Sequence, residues 1–283
     1  FSDVLGFEFR PYRELDAAQD RNHFSTDVSA PASDTPVLTG SSFNLWQPDY
    51  GDPYGYAKNS AKRHVLEKTL RSASQARSAF FGLGIAHEAD LPLARPRIAF
   101  RDICRANDSR TMIVCLLPPG AMLVHPAPYL VRRSGDEGDE AFLLGVLSSM
   151  VFDWYARRIV ELHMTFELLD RMPVPRPDRE DLFRQRVVEL SGRLAAKDDR
   201  YDDWAAVVGV PTPQIDLGRT IEHQHDAGAD LEAGGEVGGE RVTNALETGS
   251  AVSLDARHGR KSRTPSAVVP VSAARPSGRR PQD

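Results

Sequence analysis

Apolar positions in residues 57–80 recur at near-helical intervals, at Val65, Leu66, Leu70, Ala73, Ala76 and Phe80, with no Pro or Gly between them. That spacing predicts an amphipathic helix. Two runs, RIAFRDI at 97–103 and RTMIVCLL at 110–117, flank the polar turn Arg105-Ala106-Asn107-Asp108-Ser109 and predict a β-hairpin. In PVLTGSSFNLWQ (36–47) a glycine between short apolar stretches predicts a turn joining strands, and a further apolar stretch covers 128–131. Residues 141–160 read as one strongly apolar helix, with Asp139 or Glu140 suited to its first turn and Arg157 and Arg158 to its last. The prolines of MPVPRP (172–177) stop helix formation, and a last helix is expected over 178–196 with Asp178 as its N-cap. These elements predict a mixed α/β (α+β) fold: a small mixed sheet with a hairpin, and long packing helices.

Composition changes the picture at the C-terminus. No aromatic residue follows Trp204, and from about Val210 the chain is rich in Gly, Pro and Ser, acidic first and basic at its end. Such a stretch buries too little apolar surface to offset its ordering entropy, so 210–283 is predicted to be disordered. The ordered part is then 1–209, with 1–135 as a mixed-sheet part and 136–209 as a helical part. The longest apolar run, Ala141 to Phe152, is interrupted by Ser148 and Ser149 and is too short to span a bilayer. No secretory signal pattern is present, and the two cysteines, Cys104 and Cys115, lack disulfide or metal-ligand spacing. A cytoplasmic setting without membrane contact is expected. A chain that opens on Phe1 reads as a piece of a longer protein, or a product truncated at its front.

Candidate chemistry is sparse. FFGLG (80–84) follows a charged helical pattern and not a buried strand, so it does not read as a cofactor loop. Pro118-Pro119 lacks the preceding Asp or Asn and following aromatic that would grip a flipped base; it reads as a strand terminator. Pro177-Asp178 has no later Glu-x-Lys partner for a Mg²⁺-dependent nuclease, and His223-Gln224-His225 alone is a weak zinc signal. No catalytic, cofactor or metal residues are expected in this chain.

The net charge of −5 does not resemble a nucleic-acid binder, but charge is segregated. Seven arginines (95, 97, 101, 105, 110, 132 and 133) and no lysine lie between residues 95 and 133, against Asp102 and Asp108. A guanidinium fork matches both phosphate oxygens and the guanine edge, and an asparagine at a loop tip suits adenine. Arg97, Arg101, Arg105, Asn107 and Arg110 are therefore candidate DNA contacts, with Lys58, Lys62 and Arg63 of the basic helix adding phosphate contacts. The same arginines are equally accounted for by local ion pairs, Arg101 with Asp102 and Arg110 with Asp108, that pin a hairpin.

Three segments carry a family resemblance: FEFRPYRELDAAQDRNHF, PVLTGSSFNLWQPDYG, and RPRIAFRDICRANDSRTMIVCLLPPG, the last followed by LLGVLSSMVFDWYARRIV and LHMTFELLDRMPVPRP. In this order they resemble the C-terminal target-recognition region of Eco57I-like, class I, adenine-specific (N6) DNA methyltransferases, which include single-chain restriction-modification and phage-defence enzymes. Gln19-Asp20 stands where that family has Asn-Asp, and Thr39 where an acidic residue is common. The resemblance implies double-stranded DNA as a partner, and an upstream methyltransferase domain or partner methylase subunit that holds S-adenosylmethionine. It adds Thr111 and His163 to the candidate DNA contacts beside Arg97, Arg101 and Arg110. A motif shared by enzymes that read different sequences also points to framework. Asp102 with Arg110 is expected as a buried pair, and base specificity is expected in 41–63 or 120–140. Were the chain a separate specificity subunit, the helix at 141–160 would form part of the interface with its methylase; a scaffold that does not touch DNA is the third reading.

Overall fold

The computed structural model describes residues 7–27, 29 and 33–213. All of them fall in one compact unit. The predicted disorder of 210–283 and the His223/His225 pair lie outside the described residues, apart from 210–213.

In chain order the strands are β1 Glu8–Tyr12, β2 Phe24–Ser25, β3 Pro36–Leu38, β4 Gly55–Ala57, β5 Arg97–Phe100, β6 Val114–Leu117, β7 Met122–Leu123 and β8 Tyr129–Ser134. The helices are α1 Ala61–Ala73, α2 Glu137–Ser148, α3 Met150–Ile159, α4 Phe166–Arg171, α5 Leu182–Ala195 and α6 Asp202–Val208. A larger sheet, order β1-β8-β5-β6, is antiparallel throughout; a smaller one, β2-β4-β3-β7, is mixed, because β3 and β7 run parallel. This is the mixed α/β class with a hairpin that the pattern predicts.

The β5–β6 hairpin pairs Arg97 with Leu117 and Phe100 with Val114. Both strands are shorter than 97–103 and 110–117, because the Asp102 amide leaves the ladder and donates to the Pro126 carbonyl (3.1 Å). Phe9, Ile98, Phe100, Val114 and Leu116 of the larger sheet share one core with Leu143, Leu144, Leu147, Phe152 and Trp204 of the helices. The sheet part and the helical part therefore share one core. A separate core under α1 gathers Leu15, Phe24, Val37, Val65 and Met122.

The single helix expected over 141–160 is two. Ser149 adopts an extended conformation (ψ 152°), and its hydroxyl accepts the Phe152 amide (3.1 Å), so the serine that interrupts the apolar run N-caps α3. α2 begins earlier than expected because Asp136 and Asp139 form a reciprocal capping box. Asp181, and not Asp178, caps α5 by accepting the Arg184 amide (2.9 Å). α1 stops at Ala73, short of Phe80, which is buried in a third cluster with Tyr129 and Ala99. Of PVLTGSSFNLWQ only Pro36–Leu38 is strand; Asn44 and Gln47 close a tight turn in which Trp46 has φ 61°. FFGLG follows a helix and turns, with Gly82 and Gly84 at φ 79° and 67°. Among the described residues no helix is long and apolar enough to cross a membrane.

Candidate nucleic-acid interface

The conspicuous arginines divide by what their guanidinium groups touch. Arg97 is turned inward at 3% exposure and grips Glu14 with two hydrogen bonds of 2.9 Å. It also donates to the Ala121 carbonyl (2.6 Å) and lies 4.2 Å from the centre of the Tyr129 ring. Burial disfavours its charge, but the Glu14 carboxylate outweighs that and holds its pKa above the usual arginine value. Arg97 is therefore a core ion pair and is corrected out of the DNA-contact set: a group so enclosed has no path to a phosphate. Arg132 and Arg133 are likewise engaged with Glu137 (2.6 Å) and Glu8 (3.0 Å).

Arg101 is half-buried. It donates to the Phe43 carbonyl, its Nε has no hydrogen-bond partner, and desolvation lowers its pKa. Arg110 caps the C-terminal end of α2 through the Ser148 carbonyl (2.5 Å) and stands 3.6 Å from Asp153, where a cation complements the helix carbonyls. Thr111 is fully buried, its hydroxyl donating to the Arg105 carbonyl (3.0 Å). Arg110 and Thr111 thus hold the base of the hairpin loop, and Thr111 too is corrected out of the contact set.

The expected Asp102–Arg110 pair does not form, nor do Arg101–Asp102 or Arg110–Asp108. Asp102, 1% exposed, takes Arg13 (2.9 Å), His125 Nε2 (3.0 Å) and His163 Nδ1 (3.2 Å). An ionised carboxylate only accepts, so both imidazole nitrogens donate to it. The Asp102 carbonyl also accepts the Met164 amide (2.7 Å), and Thr165 then caps α4. Arg13 belongs to FEFRPYRE, Asp102 to RIAFRDI and His163 to LHMT, so three segments far apart in sequence meet at one carboxylate. The Arg97–Glu14 pair ties the first two together a second time. The His163 side chain retains 45% exposure.

Asp153, a lone acid in an apolar helix, accepts the Thr111 and Met112 amides (2.8 Å each) and pairs with Arg157 (2.8 Å). Desolvation opposes its charge, but the Met112 amide and Arg157 prevail and hold its pKa below the usual aspartate value. Arg157 reaches on to the Ala106 (2.8 Å) and Ser109 (2.6 Å) carbonyls, and Asp108 accepts the Arg105 amide (2.9 Å). The loop backbone is thereby clamped while the Arg105 and Asn107 side chains stand exposed, with no hydrogen bond or ion pair to another of the described residues. Lys58 and Lys62 are exposed too, and Arg63 makes an exposed pair with Glu67 (3.2 Å). Among the described residues no hydrogen bond or ion pair joins the 105–109 loop to α1. The loop borders the core shared by the larger sheet and the helices, whereas α1 packs on the separate core of Leu15 and Met122.

Of the stretches expected to carry specificity, 120–140 is largely interior, whereas 41–63 exposes Tyr50 (59%), Tyr54 (39%), Lys58, Asn59, Lys62 and Arg63. Glu14, Arg13, His125 and Asp153 were not anticipated; for Asp153 the signal was present, since an acid in an apolar helix must find partners if buried. Among the described residues no group of three or more His, Cys, Asp or Glu is placed to hold a metal ion. Burial pushes the thiols of Cys104 and Cys115 up to about 11 and about 12, which leaves neither as a nucleophile at neutral pH. No protein-family model and no curated protein matches the chain.

Proposed function

We propose that this chain is the sequence-recognition portion of an adenine-N6 DNA methyltransferase of a restriction-modification or phage-defence system. Its S-adenosylmethionine-binding catalytic part would lie upstream or in a partner subunit. The reading rests on one observation, the convergence of Arg13 and His163 on the buried carboxylate of Asp102. Those residues come from the segments that carry the family resemblance, and framework is what a motif common to enzymes with different target sequences should be. On this reading Arg97, Asp102, Arg110 and Thr111 position the hairpin. Phosphate contact falls to Arg105, Lys58, Lys62 and Arg63, with Arg101 and His163 at the margin, and Asn107 is the base-facing polar group of the clamped loop.

The test is binding to mixed-sequence duplex DNA as a function of salt. Phosphate-led binding gives a dissociation constant of roughly 10⁻⁴ to 10⁻⁶ M at physiological salt and weakens steeply as salt rises. Replacing Arg105 or Lys62 by Ala reduces the salt slope by about one unit each without changing the melt. Absence of binding at low salt would reject the reading in favour of a scaffold that does not touch DNA. The separate specificity-subunit reading is favoured by one feature, the outward apolar face of α3, where Met150, Val151 and Trp154 are 71%, 78% and 59% exposed.

A further inference from the structure

We propose that the trough between α3 and α5 is a docking surface for an acidic amphipathic helix of another polypeptide. Its walls are Val151, Trp154 and Tyr155 on one side and Val187 on the other, with Pro173 and Val174 at one end, around a volume of about 500 Å³. The half of 141–160 that reaches solvent is α3; α2 is occupied by α5, because Gly145 leaves room for Ser191 and Val187.

α5 turns Arg184, Ser191 and Ala195 inward, yet carries a second apolar line, Phe183, Val187, Leu190 and Leu194. Phe183 is 84% exposed, Leu190 44% and Leu194 45%. The steps of four, three and four residues are the alternating a/d spacing of a helix that receives a second helix along its length. An extended strand or a flat surface would not match that period, so the geometry selects a helical occupant.

Charge selects its chemistry. Arg186 and Arg193 flank the stripe and share a single carboxylate, Glu189, at 2.6 and 2.8 Å. On the α3 side Arg158 stacks over Trp154 at 5.1 Å, an exposed Arg–Trp pair of the kind that anchors interfaces. A second copy of this chain would set Arg186 and Arg193 against their own counterparts, which like-charge repulsion opposes. A helix with Glu or Asp beside its apolar seam meets the rim arginines instead. The proposal does not depend on DNA binding, which can be measured on the same sample.

The test uses the full chain and two labelled helical peptides of about three heptads, both with Leu at the seam, one flanked by Glu and one by Lys. Fluorescence anisotropy should show the Glu peptide binding at least about ten-fold more tightly than the Lys peptide, with the difference shrinking as salt rises. Leu190→Asp should weaken Glu-peptide binding by about ten-fold or more while leaving the melt unchanged, because that side chain is already exposed. The double change Arg186→Glu with Arg193→Glu should reverse the peptide preference. The proposal is overturned by absence of saturable Glu-peptide binding, by equal binding of both peptides, or by a dimer in sedimentation that Leu190→Asp abolishes.

Discussion

Replacing Arg97 by Met separates a structural arginine from a DNA-reading one. The guanidinium is 3% exposed and its partner Glu14 is 0% exposed, so the change leaves a carboxylate in the interior with the Leu123 amide (2.7 Å) as its remaining close donor. Removing one member of a buried pair costs roughly 3–5 kcal/mol, chiefly through the uncompensated charge that stays behind. The Ala121 hydrogen bond and the stacking on Tyr129 are lost as well, which places the expectation toward the upper end of that range. For a folded unit of this size each kcal/mol lowers the melting temperature by about 2–4 °C, so a fall of roughly 10–20 °C is expected. Urea unfolding followed by tryptophan fluorescence gives the midpoint shift, with the slope unchanged if the transition stays two-state. Combining Arg97→Met with Glu14→Leu should restore much of the loss, because an apolar pair of similar volume can replace a buried ion pair at little net cost. A variant that melts within about 1 kcal/mol of the parent, yet loses DNA affinity, would refute the assignment of Arg97 to the framework.

Three further outcomes follow from individual contacts. Glu140 is buried, accepts Trp204 Nε1 (2.9 Å), and burial raises its pKa from 4.5 to about 7. The folded state therefore holds its proton more tightly than the unfolded one, and its contribution to stability falls as pH rises from about 4.5 through 7, by roughly 3 kcal/mol at most. Glu140→Gln should remove that slope relative to the parent in melts from pH 5 to 8; identical pH profiles would contradict the burial argument. Gly145→Ala puts a Cβ 2.2 Å from Ser191 Oγ and 2.8 Å from Val187; forcing α2 from α5 should cost about 1–3 kcal/mol. Ser191→Ala should recover part of that loss, and no recovery would mean that some other contact is responsible. Asp153→Ala frees the Thr111 and Met112 amides and releases Arg157; faster hydrogen exchange confined to residues 105–112 is expected, at a cost of about 2–3 kcal/mol.

Local pattern determined a good part of this protein. Apolar spacing located α1, the β5–β6 hairpin, the helical stretch from 137 to 159 and α5, because each buries one face whose period shows in the sequence. Element ends moved by a few residues wherever a side chain competed for the backbone: Ser149 splits one helix into two, and Asp136 and Asp181 set starts that Asp139 and Asp178 had seemed to offer. The short strands β1, β2 and β4 and the six-residue α4 carry too little pattern to be seen; they exist because neighbours supply their partners.

Partner choice is where sequence fell silent. A run of arginines looks alike whether its members face solvent or a carboxylate, and only folding brings Glu14 to Arg97 and Arg13, His125 and His163 to Asp102. Sequence fixed the quantity and sign of charge, since those are properties of composition. Tertiary structure decided which charges are neutralised inside and which, such as Arg105 and Lys62, remain outside, because an ion pair depends on distance in space, and Arg13 and Asp102 lie 89 residues apart in sequence.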